Sequence, residues 1–140
     1  MVMRKLQIGP DMRFAALILL TLVSACQADE TVRAYGAADR IWTLADINEQ
    51  PFDANATLTF PGNDTIAGKA PCNRYSASIT VPYPWFEVGP IRATKVACPD
   101  LQKEAEYLKS LQQVTLSEVL GNVLILSTSE GQNMVFKFDG

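Results

Sequence analysis

Apolar and polar residues alternate with a period of two over most of the chain, which predicts β-strands. In the last of these strands, Met134, Phe136 and Phe138 fall on one face. Gly121-Asn122 joins two strands as a hairpin with a primed turn, in which glycine tolerates the left-handed backbone. The predicted strands, in chain order, cover residues 41–47, 56–60, a strand beginning at 65–68, 76–81, 85–94, 116–120, 123–126 and 133–138.

One segment has the helical period instead, because its apolar residues return every three or four positions. Leu101, Ala105, Leu108 and Leu111 form one apolar stripe, and Asp100 is placed to cap the helix. With about seven or eight strands and this single helix, the chain is predicted to be mainly β (α+β). We expect a curved antiparallel sheet or small barrel with one covering helix.

Composition excludes several kinds of site. The chain has 140 residues, no histidine and three cysteines, and its net charge is −3. The absence of histidine rules out imidazole-based catalysis and histidine-ligated metals, and three cysteines are too few for a four-cysteine zinc site. The negative charge argues against a nucleic-acid partner, which requires a basic face. We therefore expect no metal, no cofactor and no nucleic acid.

The N-terminus has the pattern of a bacterial lipoprotein signal peptide. Basic residues precede an apolar run over residues 14–23, which is too short to span a bilayer. The run leads into Val23-Ser24-Ala25-Cys26, which resembles a lipobox, with an aliphatic residue and two small residues before the cysteine that receives lipid. We interpret residues 1–25 as the signal peptide and Cys26 as the lipidation site. The alternative is an ordinary secreted protein with an incidental cysteine.

Lipidation would make the membrane a partner through the acyl chains, which together give stable anchoring. Gln27 follows Cys26, whereas an aspartate there retains enterobacterial lipoproteins in the inner membrane. The predicted location is therefore the bacterial cell envelope, with the protein anchored in the outer membrane and facing the periplasm. Residues 26–38 are polar and lack periodicity, so we interpret them as a tether, with residues 39–140 as the folded domain.

Cys72 and Cys98 would then remain on the exported side of the membrane, where disulfides persist. Their pairing would close a loop with 25 residues between them and stabilise the fold by about 3–4 kcal/mol on the chain-entropy model. A redox pair is the alternative, but it is more often a CxxC motif at a helix N-terminus. The spacing favours a structural disulfide.

Carboxylates are the remaining candidates for catalysis, and Asp100 and Glu104 are the pair that lies close on one predicted element. Carboxylates are expected at a helix N-terminus from capping and dipole effects alone, so we predict no enzymatic activity. Glu104 falls within the apolar stripe, where an unpaired carboxylate would cost several kcal/mol. We expect it to tie the helix to the Cys72 loop by pairing with Arg74 or Arg92, with an isolated surface position or a ligand contact as alternatives.

Tyr83, Trp85 and Phe86 lie beside two prolines. If exposed, they would form an apolar patch suited to a partner or a lipid. Burial under the sheet is the default interpretation, because aromatic residues dominate small cores. Asn73 follows Cys72 in a predicted loop, where asparagine often bonds local backbone, so we expect it to be structural.

Five motifs follow one another and carry a family resemblance. In this order and spacing they resemble the META domain family, which includes HslJ-like heat-shock lipoproteins, and with the closing strands they span about residues 40–138. One departure is Pro71, where the family usually has glycine. The motifs are Trp42-Thr43-Leu44, Leu58-Thr59-Phe60, Gly68-x-x-x-Cys72-Asn73-Arg74-Tyr75, Ile91-Arg92-Ala93-Thr94-Lys95-Val96-Ala97-Cys98 and Glu104-x-x-Tyr107-Leu108-x-x-Leu111.

The resemblance implies a small barrel-like β domain on an envelope lipoprotein, with Asn73, Arg74, Thr94 and Glu104 among its motif residues. Family members are linked to heat shock and novobiocin resistance, without an established catalytic activity. We therefore predict a non-catalytic stress-response module that binds an envelope protein or an apolar ligand. One alternative is a pilot-like chaperone that holds an acyl chain or a partner helix, which is an analogy of fold. A hydrolase that uses acidic residues is the other.

Overall fold

Nine β-strands and one α-helix lie within residues 28–140, which are the residues that this computed structural model describes. The predicted signal peptide, residues 1–25, and the predicted lipidation site, Cys26, lie outside this range. The elements, in chain order, are a π-helical turn (Arg33–Ala37), β1 (Trp42–Ile47), β2 (Gln50–Pro51), β3 (Thr57–Gly62), β4 (Thr65–Lys69), β5 (Arg74–Ser78), β6 (Arg92–Ala93), α1 (Leu101–Gln113), β7 (Leu116–Leu120), β8 (Val123–Ser127) and β9 (Asn133–Lys137).

The strands form one curved antiparallel sheet in the order β6-β5-β4-β3-β1-β9-β8-β7, and β2 pairs with β1. The sheet is not closed into a barrel, and α1 covers it. The prediction of a mainly β fold with a curved antiparallel sheet and one covering helix is therefore confirmed, and of the two predicted forms the sheet is the one observed. Gly121 takes a φ of +59° between β7 and β8, as a primed hairpin turn requires.

The predicted strand over residues 85–94 is wrong, because only the two residues of β6 are strand there. Pro84 and Pro90 have no N–H group to donate to a ladder, so the segment between them cannot continue as a regular strand. It lies across β7 instead, where the backbone N–H of Ser117 donates to the carbonyl of Pro84 at 2.7 Å. This contact covers a sheet edge that would otherwise be free to pair with another chain.

The core consists of large apolar side chains that alternate along the strands and meet the buried face of α1. Each such side chain stabilises the fold by roughly 1.5–3 kcal/mol through its removal from water. Trp42 keeps its polar group satisfied, because its indole N–H donates to the carbonyl of Ala37 at 3.2 Å. The largest fully buried side chains are Trp42, Leu58, Ile66, Phe86, Tyr107, Leu111, Leu124, Leu126, Met134 and Phe136.

The predicted apolar stripe of α1 is wrong in its first half. Glu104, Tyr107 and Leu111 are the buried residues of α1, whereas Leu101 and Ala105 are exposed. The carboxylate of Glu104 and the hydroxyl of Tyr107 both have hydrogen-bond partners. This face of α1 can therefore be buried without the free-energy cost of unsatisfied polar groups. Within residues 28–140, no helix has the length and apolar character needed to cross a membrane.

The second half of the predicted tether, residues 26–38, contacts the folded domain. The π-helical turn packs on the sheet, where Val32 and Ala37 are buried, and the guanidinium of Arg33 donates to the carbonyl of Phe60. The two buried residues, Val32 and Ala37, are five positions apart, which matches neither the strand nor the helix period, so the sequence pattern could not reveal this docking. The folded domain therefore begins near Val32.

Tyr75 and Tyr107 form a buried pair between β5 and α1. Their hydroxyl oxygens are 2.6 Å apart, and the Tyr75 hydroxyl donates to the carbonyl of Thr57 at 2.7 Å. Gly68 makes room for this contact, because a Cβ at that position would lie 2.0 Å from the Thr57 carbonyl oxygen and 2.9 Å from the Tyr75 hydroxyl. Burial raises the pKa of both tyrosines, since a phenolate would lose its hydration.

We predict that Tyr75 and Tyr107 do not ionise while the protein stays folded. Tyr35 is exposed, and the Glu30 carboxylate raises its pKa. Because the folded-state pKa of the buried pair is raised, its contribution to stability is complete below the unfolded-state pKa of about 10 and is lost as pH rises further. Ultraviolet absorbance of tyrosinate, followed together with circular dichroism, checks this.

The result expected is that the ionisation of Tyr75 and Tyr107 coincides with loss of the β-sheet signal. Tyr107→Phe should remove one of the ionisations that accompany unfolding, whereas Tyr35→Phe should remove neither of them. Ionisation of both buried tyrosines near pH 10, the reference value for tyrosine, in a protein that remains folded would contradict the burial of the pair.

Candidate functional site

The carboxylate of Glu104 holds the loop that leads into β5. Its Oε2 accepts hydrogen bonds from the backbone N–H groups of Cys72 at 2.7 Å and Asn73 at 2.8 Å, and its Oε1 accepts one from Asn73 Nδ2 at 2.6 Å. We call this arrangement the Glu104 clamp. Arg74 and Arg92, the predicted partners, are exposed and do not contact the carboxylate. That pairing is wrong because aligned backbone donors supply the charge-assisted bonds that the carboxylate needs.

The side chain of Asn73 continues the clamp to the segment after β6. Its Oδ1 accepts hydrogen bonds from Thr94 Oγ1 at 2.9 Å and from the backbone N–H of Val96 at 2.6 Å. Its Nδ2 also donates to the carbonyl of Val96 at 3.0 Å. Thr94 Oγ1 in turn accepts from the backbone N–H of Arg74 at 3.2 Å. Asn73 and Thr94 thus fix the position of β6 relative to β5.

Cys72 and Cys98 form a disulfide in the structure, with their Cα atoms 5.6 Å apart. Cys72 belongs to the loop that the clamp holds, and Cys98 lies three residues before the start of α1. The covalent bond and the clamp therefore join the same loop to the same helix end. This arrangement corresponds to the structural disulfide that the spacing favours.

A group of cations lies on the outer face of β4, β5 and β6. Lys69 pairs directly with Arg74, and Ser76 pairs with Arg92, so these side chains point to the same side of the sheet. We call Lys69, Arg74 and Arg92 the basic face. Within residues 28–140, none of the three has a carboxylate within 4.0 Å, and the ion pairs there involve Arg33 and Lys103 instead.

Two open grooves run along the basic face, with volumes of about 320 Å³ and 340 Å³. Ser76 and Arg92 line both of them, while Asp64 lies at one end of the first. Hydroxyl groups and uncompensated guanidinium groups are suited to binding carboxylates or other anions. This face can therefore bind an acidic group.

The two carboxylates considered for catalysis do not form an acid–base pair. Both oxygens of Glu104 are occupied by the clamp. Asp100 makes no capping hydrogen bond to α1 and lies 3.8 Å from Lys103 Nζ, which also contacts Asp53 at 2.7 Å. The hydrogen bond from Lys103 lowers the pKa of Asp53. In residues 28–140, no group of three or more acidic or cysteine side chains is arranged to hold a metal ion.

The aromatic segment divides between core and surface. Phe86 is only 1% exposed and packs edge-on against Phe60, so it lies in the core, as the default interpretation has it, and takes no part in a surface patch. Trp85 is 59% exposed, whereas Tyr83 is half-buried and stacks on Tyr35 with ring centroids 4.1 Å apart. Tyr35 was missed because it lies in the stretch interpreted as a tether. We call Tyr35, Tyr83 and Trp85 the aromatic cluster.

The model of the META domain family matches residues 37–139. The chain belongs to the META domain family. The match includes the clamp, the disulfide and the basic face of this META domain, whereas most of the π-helical turn and Tyr35 precede it. None of the curated proteins matches the chain.

Two solved structures share the fold of this META domain. A protein from Burkholderia xenovorans, solved by NMR, is 21% identical with a TM-score of 0.60, over 77% of this chain and 87% of that one. The crystal structure of a DUF4847 family protein from Bacteroides vulgatus is 14% identical with a TM-score of 0.61, over 75% of this chain and 96% of that one. At these identities the likeness concerns the fold alone.

Glu104→Gln is predicted to lower the free energy of unfolding by about 2–4 kcal/mol, because an NH2 group would replace one acceptor and face a buried donor. Urea unfolding checks the value, with Glu106→Gln as the matched control. Glu106 is exposed two residues further along the same helix, so the control should change stability by less than about 0.5 kcal/mol. Equal stability of the two variants would show that the clamp does not stabilise the fold.

Proposed function

We propose that this META domain protein is a non-catalytic, lipid-anchored binding protein of the bacterial envelope, whose basic face binds an acidic envelope protein. The observation that carries the binding role is the set of three cations, Lys69, Arg74 and Arg92, displayed on one side of the sheet, none of which has a carboxylate within 4.0 Å among residues 28–140. In a chain of net negative charge, such a face is a local exception that favours an acidic partner.

The position of the basic face is fixed by the clamp and the disulfide. Thr94 bonds the backbone of Arg74, and Asn73 bonds both Thr94 and Glu104. A binding surface held in one arrangement before the partner arrives loses less conformational entropy on binding. The rigid support beneath β5 and β6 therefore favours recognition by a preformed surface.

The sequence of the predicted signal peptide supports the proposed lipid anchor at Cys26. The lipobox-like sequence supplies Cys26 as the acceptor of lipid, and the remaining two cysteines pair with each other, as suits an oxidising compartment. Gln27 favours the outer membrane over the inner one. A role in the envelope stress response rests on the resemblance to HslJ-like proteins.

The two alternatives have weaker support. A pilot-like chaperone needs a continuous apolar groove, but large side chains such as Trp42, Tyr107 and Phe136 fill the interior. The grooves on the basic face are open and lined by hydroxyl and charged groups. A hydrolase would need free carboxylates, whereas the clamp occupies Glu104.

We expect the wild-type chain to incorporate labelled palmitate and to fractionate with the outer membrane. Cys26→Ser should lose both the label and the membrane association, because the N-terminal segment has no other cysteine that could receive lipid. The matched control is Cys72→Ser/Cys98→Ser, which should keep the label. Labelling of Cys26→Ser, or an unlabelled wild-type protein in cells that process lipoproteins, would overturn the anchor.

The binding role is tested by a photo-crosslinking residue at Ser76, between the two arginines. We expect adducts of defined mass in envelope-stressed cells, and a loss of at least about tenfold when Arg74→Glu/Arg92→Glu reverses the charge, as for close charge pairs at interfaces. Lys109→Glu/Lys137→Glu is the matched control, since both lysines are exposed outside the basic face. It should keep the adducts, and equal adducts in both variants would contradict the proposed interface.

A further inference from the structure

The aromatic cluster lies where the chain leaves the described domain toward its N-terminus. The backbone N–H of Tyr83 donates to the carbonyl of Glu30 at 2.7 Å, and the Tyr35 hydroxyl donates to the Glu30 carboxylate at 3.2 Å. Tyr35 is 47% exposed and Trp85 is 59% exposed. The stacked pair of tyrosines is therefore attached directly to the segment that follows Cys26, and the exposed Trp85 follows Tyr83 by two residues.

The distance from Cys26 to this cluster is limited by chain length. Glu30 is four residues after Cys26, and four extended residues reach at most about 14 Å. A domain of this size has a radius of gyration of about 13 Å. A lipid on Cys26 would therefore keep Glu30 within about 14 Å of the bilayer, while the opposite side of the domain could not reach it.

The chemistry of the cluster suits the headgroup region of a bilayer. Tyrosine and tryptophan combine an apolar ring with a polar group, and both are enriched at membrane–water interfaces. Asp29, Glu30 and Glu87 flank the cluster in sequence and outnumber the one nearby cation, Arg33, whose guanidinium donates to the carbonyl of Phe60. Anionic lipid would therefore repel this surface. The surface that fits is one of zwitterionic phospholipid, such as phosphatidylethanolamine.

We propose that Tyr35, Tyr83 and Trp85 form a membrane-facing seat, which rests on zwitterionic phospholipid headgroups when Cys26 carries its acyl chains. This inference depends on the proposed lipid anchor. It adds that the domain has one orientation at the membrane, in which the end of β5 that carries Arg74 points away from the bilayer.

The experiment uses the full lipidated chain in vesicles of phosphatidylethanolamine and phosphatidylcholine, the latter brominated near the top of its acyl chains. The protein has two tryptophans, and Trp42 is fully buried, so Trp85→Phe gives the background emission of Trp42. The difference between the two proteins is the emission of Trp85. We expect brominated lipid to quench most of it.

The matched control is the double variant Trp85→Phe/Lys95→Trp, in which the exposed tryptophan lies at the other end of the sheet instead. Its emission above the Trp42 background should be unaffected by brominated lipid. Mass spectrometry of the same preparation separates the two proposals. A chain without lipid on Cys26 would overturn the anchor and this inference with it. A lipidated, vesicle-bound chain in which Trp85 is unquenched, or is quenched no more than the tryptophan at position 95, would overturn the membrane seat alone.

Discussion

The arrangement of the candidate site depends on one buried carboxylate. Glu104 would be costly to remove from water without partners, and three donors from Cys72 and Asn73 compensate for that cost. Because Cys72 is bonded to Cys98 and Asn73 is bonded to Thr94, the same carboxylate positions α1, the loop before β5 and the segment after β6. The basic face lies directly on this support, so its geometry follows from the clamp.

A second constraint acts one turn further along α1. The hydroxyl of Tyr107 meets that of Tyr75, and this pair approaches the backbone of β3 where Gly68 leaves space for it. The buried face of α1 therefore carries a carboxylate and a phenol in successive turns. Both are polar groups with specific partners, so they fix the register of the helix on the sheet more narrowly than aliphatic side chains would.

These contacts also explain what the sequence could and could not predict. Alternation and turn residues identified most of the strands, the β7–β8 hairpin and α1, because those signals are local. The partners of Glu104 could not be derived, since backbone N–H groups leave no signature in residue identity. The strand expected over residues 85–94 failed because its prolines interrupt the ladder. The docked turn that carries Tyr35 was missed because the buried residues Val32 and Ala37 are five positions apart, which matches neither the strand nor the helix period.

With the lipid anchor proposed above, the length of β5 separates the aromatic cluster from Lys69 and Arg74, whereas Arg92 pairs with Ser76 in the middle of that strand. Glu30 lines a groove with Ile79, just beyond the end of β5, whereas Arg74 begins that strand. The five residues of β5 span about 13 Å, which exceeds the Debye length of about 8 Å at physiological ionic strength. Lysine or arginine near an anionic membrane gains about 1 kcal/mol per residue, so a basic face beside the anchor would be drawn to lipid. At the far end of β5, Lys69 and Arg74 would lie beyond that attraction and stay available to the acidic partner that we propose.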